Sequence, residues 1–177
     1  AIQNQIFSDH HMSLLCSVAK STKYDSETRE NCLLAMAYSI KTMPKEQLIP
    51  STIIDDLGEI VQSNIDIIQN ATVVSLCYYV NDSDRSLSPL VLEKLAVVLT
   101  KQDHELINNV LSIYLKLIKQ KHRVPSTALN RLNTFLTNNK EFELREKSIW
   151  ILKHAADNGE NFEELILKAI DQCLNDQ

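Results

Sequence analysis

The chain has 177 residues, 44% of them hydrophobic and 23% charged, with 18 Lys and Arg against 23 Asp and Glu for a net charge of −5. A chain of this length buries roughly 70% of its unfolded surface, so its folding requires neither disulfide nor metal. Only two glycines and four prolines argue against hairpin-rich β structure and against glycine-rich phosphate loops, and a pI of about 5.5 argues against broad, sequence-independent nucleic-acid binding.

No run reaches the ~18 continuous apolar residues of a membrane span. The opening residues Ala1 to Gln5 lack the basic region and apolar core of a signal peptide. With no initiator Met, the chain is expected to be a segment of a longer one. Apolar periodicity predicts nine helices, at about 8–21, 26–42, 46–63, 66–80, 88–101, 104–120, 125–138, 141–156 and 160–175, within one helical-repeat domain spanning residues 1–177.

In chain order, the first helix carries Met12, Leu15, Val18 and Ala19. Asp25 and Ser26 are placed to cap the second. The third, fifth and seventh open on proline: Ile49-Pro50-Ser51, Ser88-Pro89-Leu90 and Val124-Pro125-Ser126. Proline suits a first helical turn, where its missing N–H costs nothing. Aligned on Leu57, Leu95, Leu132 and Ile170, these helices and the ninth carry Ile54, Leu92, Leu129 and Leu167 three residues earlier. Three later stand Ile60, Val98, Phe135 and Cys173, and four later Val61, Leu99, Leu136 and Leu174. The 3, 3, 4 spacing is one face of a helix, and it recurs at intervals of 38, 37 and 38 residues.

A second series alternates with the first, starting at Thr28, Ile68, Ile107 and Leu144. Six residues on stand Leu34, Val74, Ile113 and Trp150; eight on, Met36, Leu76, Leu115 and Leu152; ten on, Tyr38, Tyr78, Leu117 and His154. Two interleaved registers of nearly equal period mean a helix pair repeated about every 38 residues. Short polar turns separate the helices at 81–86, 119–123, 138–140 and 157–161, and Gly159 is placed to end one.

The segment from Glu143 to Gly159, with Trp150 inside a charged start and an apolar end, resembles the third helix of an armadillo repeat. The segment Asp25 to Ala37 is similar to it and to the second helix of a HEAT repeat. The resemblance extends over nearly the whole chain and implies an all-α, right-handed α-solenoid of tandem armadillo/HEAT-like repeats. It also implies that the second-series helices line a concave, partner-binding surface. In importin-alpha-like armadillo proteins a Trp and an Asn on that helix clamp extended basic peptides. Here only Trp150 holds the Trp position, and Tyr38, Tyr78, Leu117 and His154 hold the Asn position, so an asparagine ladder is absent.

Tyr38, Tyr78, Tyr79, Tyr114, Trp150 and His154 all fall on second-series helices. Facing a groove, they would form an aromatic ridge for a protein or peptide partner. The proline-led helices carry a graded set of charges, from Asp55, Asp56 and Glu59 through Glu93 and Lys94 to Arg131 and Lys168, and Lys116, Lys119, Lys121, His122 and Arg123 cluster at one helix end. Cysteines 16, 32, 77 and 173 lie in apolar helical patterns without a C-x-x-C pair and read as buried, reduced thiols of an intracellular, cytoplasmic protein. The adjacent histidines His10 and His11 diverge by roughly 100° on a helix and make a poor chelate. The triplets starting at Asn70 and Asn81 match the glycosylation pattern, but Asn70 falls inside a predicted helix.

No nucleophile elbow, P-loop, H-E-x-x-H or dinucleotide fingerprint occurs in the sequence. The expected function is therefore a non-enzymatic interaction scaffold without cofactor, binding a protein or peptide along the concave face. The alternatives are an assembly segment of a larger solenoid and, from a third class, a nucleic-acid-binding or DNA-repair HEAT-like protein.

Overall fold

The computed structural model describes residues 7–44, 46–81, 85–136, 141–160 and 167. Among them the chain is all-α: α1 (Asp9–Lys20), α2 (Ser26–Thr42), α3 (Ser51–Ile60), α4 (Asp66–Asn81), α5 (Pro89–Val98), α6 (His104–Lys119), α7 (Ser126–Leu136) and α8 (Phe142–Asp157). Of the helix expected at 160–175 the described residues include only Glu160, which is not helical, and Leu167, which is helical and exposed. The proline-led helices α3 and α5 are shorter than expected, at ten residues each. A residue before proline is pushed out of the helical region, so residues 46–49 stay outside α3, and Pro50 caps it in extended backbone with ψ of 135°.

Side chains fix several starts. Asp25 accepts from the Thr28 N–H at 2.8 Å, and Asp103 from the Leu106 N–H at 3.0 Å. The Thr28 N–H and hydroxyl together hold the Asp25 carboxyl below its usual range. At the other end, α6 and α8 close with the same motif. The His122 N–H donates to Leu117 O and the Lys121 N–H to Ile118 O; Glu160 and Gly159 donate in the same way to Ala155 O and Ala156 O. The residue at the bend has positive φ in both, 86° at Gly159 and 65° at Lys121. Gly159 adopts that conformation freely, and Lys121 adopts it at a steric cost.

The helices divide into two compact units, residues 1–94 and 95–177. In the first, α1 packs on α2 and α3, and α4 packs on α2 and α3. Alternate helices thus share a layer, and the core lies between the layers. In the second, α8 packs on α6 and on α7. The 3, 3, 4 pattern is the core-facing stripe. Leu57, Leu95 and Leu132 are fully buried, and Ile54, Leu92, Leu129, Val61, Leu99 and Leu136 are buried with them. Each such side chain contributes about 1.5–3 kcal/mol on leaving water. Phe135, in the same stripe, is half-buried.

Helix ends inside the first unit are closed by side chains. Arg29 Nε donates to Ala19 O at 2.8 Å, and Gln69 Nε2 donates to Val61 O at 2.6 Å. Arg29 and Gln69 are each the fourth residue of their helix, and each reaches the carbonyl end of the helix before it. This answers the orphan carbonyls that every helix leaves at its C-terminus. Within α4, Thr72 donates to Ile68 O and Ser75 to Ala71 O, and Ser75 also reaches Leu33 O on α2. Gly58 sits where α3 meets Val91: a Cβ there would lie 2.6 Å from Val91 Cγ2. Only glycine admits that approach.

The even-numbered helices share one register when they are aligned on their first residues. Leu33, Val73, Leu111 and Ile149 are then equivalent and buried, as are Met36, Leu76, Tyr114 and Leu152. For α6 this register differs by one residue from the expected one. Leu106 rather than Ile107 matches Ile68, and Ser112 and Lys116 take the places assigned to Ile113 and Leu117.

Candidate partner-binding faces

In the common register, one stripe of each even-numbered helix points away from the core. On α2 it carries Leu34 and Tyr38, which are 44% and 55% exposed. On α4 it carries the half-buried Val74 and Tyr78. The Lys41 ammonium lies 5.1 Å from the Tyr78 ring centroid. The α2–α4 face is therefore two aromatic rings, two aliphatic side chains and one cation held against a ring face. Such a cation–ring contact is worth about 0.5–1 kcal/mol at an exposed site.

On α8 the same stripe carries Trp150, 42% exposed, and the half-buried His154. Their rings stack at 6.1 Å with an interplanar angle of 29°, and Lys153 Nζ lies 4.9 Å from the Trp150 centroid. An i,i+4 spacing places two rings on one helix face, and here it pre-orders an amphipathic surface.

Two expected members leave this set. Tyr114 is fully buried and lies within the core of its unit rather than on a ridge. The cause is the one-residue offset in α6: Tyr114 takes the slot of Met36, Leu76 and Leu152. Tyr79 is half-buried, with the Arg85 guanidinium 5.4 Å from its ring centroid. Burial pushes its phenol above the usual range, and Arg85 Nη2 in turn donates to Gln47 O at 3.1 Å. Leu34, Lys41 and Lys153 join the faces instead. Leu34 was legible as one helical turn before Tyr38, whereas the two lysines carry no sequence signal distinguishing them from ordinary solvated cations.

In place of aromatics, α6 presents polar groups. Lys147 Nζ donates to Asn108 Oδ1 at 2.5 Å and to Ser112 Oγ at 3.0 Å, and pairs with Glu143 at 3.1 Å. Asn108 also donates to Glu143 at 2.8 Å. The hydrogen bond from Asn108 and the ammonium of Lys147 hold the Glu143 carboxyl below its usual range. A cavity of about 490 Å³ adjoins this network, lined by His104, Glu105, Glu141, Phe142 and Glu143. Glu141 is itself engaged by His104 at 2.6 Å.

Several of the graded charges of the proline-led helices are engaged by neighbouring groups. Asp56 pairs with Lys20 at 2.6 Å, Glu59 pairs with Lys94, and Asp55 accepts from Ser88 at 2.8 Å. The ammonium of Lys94 keeps the Glu59 carboxyl below its usual range. Arg131 donates to Ala96 O at 2.7 Å, closing the carbonyl end of α5. Lys168 lies outside the described residues. Cys16 and Cys32 are free thiols. Cys16 is buried, as expected, but Cys32 and Cys77 are only half-buried; Cys173 lies outside the described residues. Burial pushes the Cys16 thiol up to about 12.

Among the described residues these features define an all-α protein built of paired helices, with aromatic side chains on the outer face of α2, α4 and α8. No protein-family model matches the chain, and no curated protein matches it in sequence. Solved structures do share its fold. One, described as an engineered protein, aligns over 92% of this chain and 69% of its own with a TM-score of 0.61 and 17% identity. A second engineered protein aligns over 93% of this chain and 78% of its own with a TM-score of 0.56 and 16% identity. No helix among the described residues is long and apolar enough to cross a membrane.

Proposed function

We propose that this chain is a protein-recognition scaffold of the armadillo/HEAT type, a right-handed solenoid that binds a protein or peptide through the outward stripe of its even-numbered helices. The observation that carries the reading is the exposure of Leu34, Tyr38 and Trp150, at 44%, 55% and 42%, on helices whose remaining large apolar side chains are almost all buried. Rigid aromatic side chains that remain exposed on an ordered helix are the usual anchors of interfaces. Helix pairs in a solenoid bury their apolar faces only by stacking, and stacking leaves one extended surface for partners. The free thiols Cys16 and Cys32 support a reducing, intracellular setting.

The test is affinity capture with the intact chain and with a Tyr38→Ala/Trp150→Ala variant, after circular dichroism has established equal helicity. A partner retained by the first and lost by the second supports recognition through these stripes. A partner retained equally by both removes the stripes from the interface. Capture of nothing by either favours an assembly segment whose surfaces meet other parts of a longer chain.

A further inference from the structure

Between the ends of α1 and α3 and the start of α2, the first unit has an open surface cavity of about 340 Å³, lined by Lys20, Thr22, Arg29, Glu59, Gln62 and Ser63, with Ile60 and Asn64 completing it. Arg29 is only 8% exposed, and one of its five donors is used, Nε to Ala19 O at 2.8 Å. It forms no ion pair among the described residues. Of the nearby carboxylates, Glu59 lines the same cavity, and three are engaged by other groups. Asp25 caps Thr28, Asp56 pairs with Lys20, and Glu59 pairs with Lys94. The side chain is thus covered on most sides, and its terminal nitrogens are left facing the cavity; a guanidinium so placed is normally met by an anion.

We propose that this cavity is a binding site for a small oxyanion, a phosphate or carboxylate group, with the terminal nitrogens of Arg29 as its anchor. The planar fork of a guanidinium matches both oxyanions in bidentate geometry. Lys20 contributes a second cation at the rim, its charge already shared with Asp56. The hydroxyls of Thr22 and Ser63 and the amides of Gln62 and Asn64 supply neutral donors around it. The second repeat provides the structural comparison. Gln69 performs the carbonyl-capping role of Arg29 with Nε2 on Val61 O at 2.6 Å, and it does so without a charge. Capping a helix end therefore does not require arginine here, and the charge at position 29 is left to serve a ligand.

The same comparison supplies the variant. Arg29→Gln keeps a donor for Ala19 O and removes the cation. The intact chain and the variant are titrated by ¹H–¹⁵N NMR with sodium phosphate, and separately with sodium acetate, at constant ionic strength. Saturable shifts at the Thr22 and Ser63 amides, weakened roughly tenfold or more in Arg29→Gln, are the expected result, and the Arg29 Nε–H of the intact chain shifts with them. Saturation by phosphate alone assigns the site to phosphate groups, and saturation by acetate as well extends it to carboxylates. Non-saturating drift with both salts overturns the proposal, as does equal binding by the variant. Should Arg29→Gln lose its fold, Lys20→Gln is the second test, since its site is at the surface. The proposal then requires phosphate binding several-fold weaker than in the intact chain, and unchanged binding overturns it.

Discussion

The α2–α4 pair of the first unit and the α6–α8 pair of the second present the same frame with different surfaces. Both bury the equivalent slots of Leu33 and Met36, filled in the second unit by Leu111 and Tyr114 and by Ile149 and Leu152. On the outward stripe the first pair carries Leu34, Tyr38, Val74 and Tyr78, whereas α6 carries Ser112 and Lys116 and is tied to α8 by Lys147. The core slots are set by the geometry of helix packing, which leaves little freedom. The outward slots are free to differ, and they separate an aromatic face from a hydrogen-bonded one.

The comparison breaks most sharply on the tyrosines. Tyr114→Ala removes a fully buried ring and is expected to cost about 3–5 kcal/mol, while Tyr38→Ala on the outer stripe costs less than about 0.5 kcal/mol. Equal denaturant midpoints for the two variants would place Tyr114 on the surface and erase the offset in α6. Gly58→Ala forces a methyl to within 2.6 Å of Val91 and is expected to destabilise by about 1–3 kcal/mol. Adding Val91→Ala should recover part of that loss, and strict additivity would show that the two do not touch.

Lys147→Met tests the polar link between α6 and α8. Losing its bonds to Asn108 and Ser112 is expected to cost about 1 kcal/mol in chemical denaturation while leaving helicity unchanged. Lys121→Gly relieves the φ of 65° and is expected to raise stability by about 0.5–1 kcal/mol, whereas the reverse change Gly159→Lys lowers it.

A further contrast is in pH. Folding raises the Cys16 thiol from its ordinary value of 9.0 to about 12. Its contribution is thus complete below pH 9 and is lost as pH climbs from there toward 12. Thermal midpoints in that window should fall less in Cys16→Ala than in the unaltered chain. Thiol labelling below pH 9, resolved by peptide mass, should mark Cys32 and Cys77 well before Cys16.

Much of this frame was legible in the sequence. The proline-led stripe of Ile54, Leu57 and Val61 and its copies could be read because one face must be apolar and proline marks where it starts. The α6 register could not be read the same way. Ile107, Ile113 and Leu117 are as apolar as Leu106, Tyr114 and Ile118, so hydrophobicity alone fits two registers. The polar residues Asn108, Ser112 and Lys116 decide between them only once Lys147 and Glu143 stand opposite. Trp150 and Tyr38 were visible as members of one stripe, but their exposure follows from packing. Arg29 and Gln69 gave no signal, because each sits within an apolar pattern and its partner is a backbone carbonyl of another helix.

The offset in α6 also bears on how interchangeable the repeats are. A graft that exchanged α4 and α6 by lining up their apolar residues would start one residue out of phase and turn the incoming helix by roughly 100° about its axis. Tyr114 would then be forced into the small buried slot of Ser75, and its neighbour Leu115 would take that of Leu76. Grafts aligned instead on the first helical residues, Asp66 with His104, would carry each outward stripe across intact, making the surface of one repeat a transplantable part.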